Sequence, residues 1–328
     1  MRGLHLEIQE DVFRLTKLFA INNRIVDCEE TIRVELTDGS SRGRGEALGV
    51  FFAGETAQSI RAQIEGLRSD VEAGLSRQDL QHALPPGGAR AALDCAFWDF
   101  EAKQSGCSIW DLTRLHPNPV STTYTIGIQS AEQMALEAKS ACIFPQLKVK
   151  LDGHEPARKI QSIRRVRPDA SLIVDANGAW SIDQFLDLLP VFEATGVELV
   201  EQPLPSGTDA ALEKTHSDIP IGGDESILDR RNYRQVGQFY DVINVKIDKA
   251  GGLTEALALA NEVRRSGKRI MVGNMGGSSL SMAPSYVLAQ LATFVDLDGP
   301  LHLVRDVDHA ISYGLGGELS PPTRALWG

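Results

Sequence analysis

Between residues 147 and 246 the chain repeats one arrangement five times: a short apolar run that ends in a charged residue. The runs lie at 147–150, 172–175, 199–201, 221–224 and 242–246. From Lys150 the charged ends follow at intervals of 25, 26, 23 and 22 residues, at Asp175, Glu201, Asp224 and Lys246. A strand, a crossover helix and two loops occupy about that length, so each charge is expected at the C-terminal end of a parallel strand.

Extending the pattern gives eight candidate strands, at 123–127, 147–150, 172–176, 198–202, 220–224, 242–246, 269–273 and 292–297. Amphipathic helical stretches separate them. Ser130 and Ser181 each stand three residues before a glutamine, the pattern of a reciprocal N-cap that starts a helix just after a strand. Strands alternating with helices require a parallel sheet, and eight of them predict a closed α/β barrel.

The first third of the chain reads differently. Residues 4–15 and 31–36 alternate apolar and polar side chains, with Asp38-Gly39 after the second run as a turn. Helices are predicted at 56–67 and 76–83, and another from Ala89 to about Gln104, with Gly106 placed to end it. Residues 1–115 are therefore expected to form an α+β capping domain and 116–300 the barrel. The tail, 301–328, has no further strand–helix unit and is expected to return to the cap.

At 328 residues with 42% apolar side chains, the chain can bury a large barrel core and a smaller partner. A formal charge of −11 disfavours nucleic acid and anionic membranes as partners and leaves a small molecule as the natural ligand. Four cysteines without close pairs, no apolar signal core near Met1 and no run of membrane-spanning length predict a reduced, soluble, cytoplasmic protein. A homo-oligomer is left open.

Charges at the ends of strands that should be apolar need a reason. Asp175, Glu201 and Asp224 fall on three successive strands, so a barrel aims them at one point. Three such carboxylates repel one another unless a hard divalent cation sits between them, and oxygen-only ligands without His or Cys favour magnesium over zinc. Lys148 and Lys150, two apart on a strand, share a face and are expected to point into the barrel mouth. Their mutual repulsion is expected to lower a pKa toward a range useful to a base. Lys246 comes from the far side of the triad, so a substrate held there lies between two lysines. That arrangement suits removal of a proton α to a carboxylate and its return on the other face.

The set Lys148-Val-Lys150, Asp175-Ala-Asn177, Glu201-Gln-Pro203, Asp224-Glu-Ser226 and Asn244-Val-Lys246, followed by Ala250-Gly-Gly252, resembles the enolase superfamily in its muconate lactonizing enzyme subgroup. The resemblance extends to Gly43-Arg-Gly-Glu-Ala47 and to the helix beginning Ala91-Ala-Leu-Asp. It implies a modified (β/α)7β TIM-type barrel under an α+β cap, with essential Mg2+. Within the subgroup, Asp296-Leu-Asp298 looks like the Asp-x-Asp motif of dipeptide epimerases, above all the L-Ala-D/L-Glu epimerases, where the pair holds the substrate's α-ammonium. The same resemblance offers Arg24 as the cation for a side-chain carboxylate. It departs at Gly273-Asn-Met-Gly-Gly-Ser-Ser279, where something closer to Gly-Cys-Met-Leu is expected, so the side-chain pocket is expected to differ.

The sequence thus points to a magnesium-dependent dipeptide epimerase. Lys150 and Lys246 are its two bases, Lys148 an electrostatic helper, Asp175, Glu201 and Asp224 the metal ligands, and Asp296, Asp298 and Arg24 the substrate contacts. N-acylamino acid racemisation, o-succinylbenzoate synthesis, cycloisomerisation and dehydration are the neighbouring chemistries. A metal-free Schiff-base aldolase and a non-catalytic binding barrel are disfavoured by the carboxylate triad.

Overall fold

The structure, a computed structural model, describes residues 4–22 and 24–328. It opens with an antiparallel sheet of three strands in chain order, β1 (His5–Ile21), β2 (Arg24–Thr37) and β3 (Arg42–Leu48). β1 runs past the expected 4–15 because its pairing with β2 resumes, after a register shift between Arg14 and Phe19, in a stretch whose mixed apolar pattern hides the strand. β3 lacks the alternation that would reveal it, since its small residues serve packing instead.

Helices α1 (Ala57–Gly66), α2 (Arg68–Glu72), α3 (Arg77–Ala83), α4 (Gly88–Ser105) and α5 (Ile109–Thr113) follow. Ile32, Val34 and Leu36 of β2 are fully buried in the core that this sheet and these helices share. α4 lies directly on β3: a Cβ on Gly43 would stand 2.3 Å from Ala96 O, and one on Gly45 would stand 2.1 Å from Ala92 O. Only glycine permits that approach.

After the two-residue β4 (Val120–Ser121) come eight parallel strands: β5 (Tyr124–Ile126), β6 (Gln146–Lys150), β7 (Ser171–Asp175), β8 (Val197–Glu201), β9 (Ile221–Gly223), β10 (Val242–Val245), β11 (Arg269–Val272) and β12 (Phe294–Val295). Each pairs with the next in chain order, and the Thr123 N–H donates to Val295 O at 2.9 Å, drawing the first strand to the last. The crossovers carry α6 (Ala131–Ser140), α7 (Pro156–Val166), α8 (Ile182–Ala194), α9 (Arg230–Val236), the short α10 (Ile247–Ala250) with α11 (Leu253–Arg265), and α12 (Ser279–Ala289). Between β8 and β9 a 3-10 turn, Asp209–Lys214, replaces the α-helix. Ser130 and Ser181 cap α6 and α8 reciprocally with Gln133 and Gln184.

Inside the sheet, Ile173, Leu199, Val242 and Met271 pack together as a dry floor beneath the C-terminal strand ends. The last residues lie on α4: Trp327 Nε1 donates to Cys95 O at 3.0 Å and Gly328 N to Asp99 Oδ1 at 2.7 Å. Strand β13 (Glu318–Leu319) pairs with β4. Among the described residues, no helix is long and apolar enough to cross a membrane.

Candidate active site

β7 and β8 end on Asp175 and Glu201, and Asp224 follows directly on β9. All three are fully buried, and an oxygen from each lies within 4.8 Å of the others. The turns that aim them are conformationally unusual. Asn177 and Gln202, just beyond the first two carboxylates, take positive φ of 44° and 38°. Such backbone is held only where the surroundings over-determine it. At Gln202 they do: its Nε2 donates to Leu204 O at 2.8 Å and Ser226 Oγ at 2.9 Å, while its Oε1 accepts from Asp224 N at 2.9 Å.

Three lysines sit among these carboxylates. Lys148, 1% exposed, lies 3.0 Å from Asp175 Oδ2, 2.8 Å from Glu201 Oε2 and 2.8 Å from Asp296 Oδ2. Lys150 donates to Asp175 Oδ2 at 2.6 Å and Lys246 to Asp224 Oδ2 at 2.7 Å, so the two lysines flank the cluster on different strands. Lys246 stands just past β10 as the residue preceding α10, not within the strand as its sequence run suggests.

At Lys148 the lowering expected from its neighbour is absent. Burial alone lowers Lys148, but Asp175, Asp296 and Glu201 outweigh it and hold the ammonium well above its ordinary value. Lys246 is likewise raised, burial being overcome chiefly by Asp224. In space each lysine faces more carboxylate than ammonium. Burial and the Asp175 charge raise Glu201, whereas Asp175 and Asp224, though buried, are pulled low by the lysines.

The donor set fits a hard cation: three carboxylates, no sulfur and no imidazole. Glu201 Oε2 accepts no aligned hydrogen bond despite its buried position. Lys148 stands 2.8 Å from it, close enough for charge attraction but outside hydrogen-bonding geometry, so the oxygen keeps an open lone pair. Glu201 Oε1 is oriented by Asn244 Nδ2 at 2.6 Å.

Asp296 and Asp298 lie beyond the end of β12, which stops at Val295, so they are not a same-face strand pair. Asp296 is engaged by Lys148 and by the hydroxyls of Thr123 at 3.1 Å and Thr125 at 3.3 Å. Asp298 Oδ2 accepts from Thr125 N at 2.5 Å and pairs with His302 Nε2 at 3.3 Å, which leaves Oδ1 without a donor among the described residues. Although buried, Asp298 is held at about 2 by those bonds, and His302 is raised, burial being outweighed by Asp298.

A cavity of about 400 Å³ lies over these groups, roofed by β2 and by the segment after β3, and lined by Lys148, Lys150, Lys246, Asp296 and Asp298. Arg24 also lines it, exposed, its guanidinium 4.5 Å from the ring of Phe51. Asn23, beside it, lies outside the described residues.

Two residues were not visible as site residues in the sequence. Lys249, fully buried, donates to Asp224 Oδ1 at 2.6 Å, Asp224 O at 2.6 Å and Asn244 O at 3.0 Å. Its signal was its spacing of three from Lys246 at a helix start. Glu225, beside Asp224, accepts from Asn177 Nδ2 at 2.9 Å and is raised to about 7, mainly by burial and then by Asp224.

Residues 129–311 match the enolase C-terminal domain-like family and residues 24–113 the mandelate racemase / muconate lactonizing enzyme N-terminal domain. The chain is 38% identical over 314 residues to an L-Ala-D/L-Glu epimerase of Escherichia coli, covering 95% of this chain and 98% of that protein. It is 35% identical to an N-acetyl-D-glutamate racemase of Pseudoalteromonas, over 90% and 95% of the two chains. It superposes with a TM-score of 0.96 and 36% identity on an enolase family member from Agrobacterium tumefaciens with homology to dipeptide epimerases, bound to sodium and L-Ala-L-Glu, covering 99% and 100%. A dipeptide epimerase from Enterococcus faecalis complexed with Mg and L-Leu-L-Tyr matches at 0.89 and 25% identity, over 98% and 97%. In sequence as in architecture, the chain belongs to the enolase superfamily, with the N- and C-terminal domains of its mandelate racemase / muconate lactonizing enzyme family.

Proposed function

We propose that the chain is a magnesium-dependent dipeptide epimerase of the L-Ala-D/L-Glu type, inverting the α-carbon of the C-terminal residue. The observation that carries this reading is the placement of Lys150 and Lys246, each against a different carboxylate of one triad, 2.6 and 2.7 Å away. A substrate carboxylate directed at the triad puts its α-carbon between the two ammonium groups. One lysine, as the neutral amine, then takes the α-proton, and the other, as the ammonium, returns a proton to the opposite face.

Magnesium, held by Asp175, Glu201 and Asp224, would offset the carboxylate charge that holds the Lys246 ammonium and would polarise the substrate carboxylate. Lys148, buried between the triad and Asp296, places a fixed positive charge where negative charge develops on that carboxylate. The open Oδ1 of Asp298 is the natural acceptor for the dipeptide's α-ammonium, with Asp296 behind it already neutralised by Lys148. Arg24, at the cavity roof, is the cation available to a side-chain carboxylate.

N-acylamino acid racemisation is the second reading, favoured by the Pseudoalteromonas relative. It leaves the Asp298 acceptor without a cation. Proton exchange in deuterated water, followed by NMR on both epimers of Ala-Glu and on N-acetyl-glutamate, separates the two. The epimerase reading expects exchange of both Ala-Glu epimers. Lys150→Ala and Lys246→Ala are each expected to abolish inversion while leaving exchange of one epimer, a different one for each. Inversion at near wild-type rate in either variant would overturn the two-base mechanism, and preference for N-acetyl-glutamate would select the second reading.

A further inference from the structure

The loop after β11, where the sequence departs from its family's pattern, has a partner on the cap. Gly277 N donates to Glu29 Oε2, and Gly276, at φ +106°, presents its bare Cα to the same carboxylate. A Cβ on Gly276 would stand 2.1 Å from Glu29 Oε2. The glycine therefore clears the space that Glu29 enters from β2, and Glu29 lines the cavity there.

Its position along the cavity follows from its neighbours. A Cβ on Gly299, the residue after Asp298, would stand 3.4 Å from Gly276 Cα. Asn274 bridges the same region, donating to Asp296 O at 2.7 Å and accepting from Gly276 N at 2.8 Å. Glu29 thus stands at the Asp296–Asp298 end, and Arg24 lies five residues earlier on the same strand. Glu29 Oε1 receives no hydrogen bond from any described residue. Burial raises the Glu29 carboxyl to about 7, opposed by the Gly277 N–H, His302 and Arg24, as for an anion short of partners.

We propose, resting on the epimerase reading, that Glu29 selects the amino-terminal residue of the dipeptide: its open Oε1 accepts from a hydroxyl or ammonium side chain there and excludes an acidic one. Gly276 is what admits the carboxylate to that position. Arg24 and Glu29 then divide the roof between the two residues of the substrate, a cation over the C-terminal side chain and an anion over the N-terminal one.

The test compares kcat/KM for Ala-, Ser-, Lys- and Asp-L-Glu in wild type, Glu29→Gln and Glu29→Ala, each value expressed relative to Ala-L-Glu of the same protein. The glutamine keeps an acceptor for Gly277 N and guards against loss of the loop. A charge-assisted hydrogen bond is worth enough that Ser- and Lys-L-Glu should fall about tenfold in both variants relative to Ala-L-Glu, and Asp-L-Glu should rise about tenfold. An unchanged ranking in variants that turn over the series overturns the role of Glu29 alone. Absence of α-proton exchange by wild type on every member overturns the epimerase reading instead.

Discussion

Lys249 holds Asp224 by the oxygen that Lys246 leaves free: its ammonium lies 2.6 Å from Oδ1, while Lys246 lies 2.7 Å from Oδ2. Both groups of the Lys249–Asp224 pair are completely buried, and burial lowers the Lys249 pKa against the pull of Asp224. Removing one member of a buried pair costs about 3–5 kcal/mol where the other charge is left uncompensated. Asp224 keeps Lys246 on Oδ2, so Lys249→Met should destabilise the metal-free protein by less than that. Magnesium, supplying the missing charge, should raise its melting temperature more than it raises that of wild type. Equal magnesium-induced shifts in the two proteins would show that Lys249 does not hold the ligand.

Chelation should abolish epimerisation and magnesium should restore it. Asp224→Asn removes one ligand charge and leaves the buried Lys249 and Lys246 ammonium groups facing an amide, so it should lower stability as well as weaken magnesium binding by at least about tenfold. Titration calorimetry with magnesium measures it, and full turnover after exhaustive chelation would overturn the metal assignment.

Arg24 is exposed and braced on Phe51 at 4.5 Å, so its loss should cost little stability. Arg24→Ala should lower the ratio of kcat/KM for Ala-Glu over Ala-Leu by about tenfold, the magnitude of one charge-assisted contact. An unchanged ratio would assign the side-chain contact to another group.

Glu46 ties the cap to the barrel, accepting from Ser278 N at 2.8 Å and from Ser278 Oγ at 2.7 Å. Burial raises its carboxyl from 4.5 to about 7 against those two bonds. Between those values the folded state binds more protons than the unfolded one. Its contribution is therefore fully present below about pH 4.5 and declines as pH rises toward 7, by up to about 1.4 kcal/mol per pH unit. Glu46→Gln removes this titration, so the melting temperature of the variant minus that of wild type should increase from pH 5 to pH 8. A constant difference would place the charge of Glu46 elsewhere.

The barrel was legible because every strand feeding the site is an apolar run with a charge at or just beyond its end, and a parallel strand buried on both faces carries a charge elsewhere only where it is paired, as Lys148 is inside β6. Asp296 and Asp298 were legible as a motif but not as geometry, since β12 stops at Val295 and the two carboxylates acquire different partners. The charge of Lys148 depends on more than Lys150, the one partner that sequence proximity shows. The three carboxylates that determine it arrive from β7, β8 and the loop after β12. Lys249 was hidden for the same reason: its side chain returns across the α10 turn to a residue 25 positions earlier. The hairpin strand β1 escaped full recognition where its partner shifts register.

Lys150 and Lys246 and the residues that roof the cavity belong to different sheets, joined at Glu29 and Glu46 by bonds to a single glycine–serine loop. In the vocabulary of evolution, this is a separation of traits. On the function proposed above, positions 24–28 of β2 could be randomised in a library, to retune the cavity for new dipeptides, without touching the lysines and carboxylates at the strand ends.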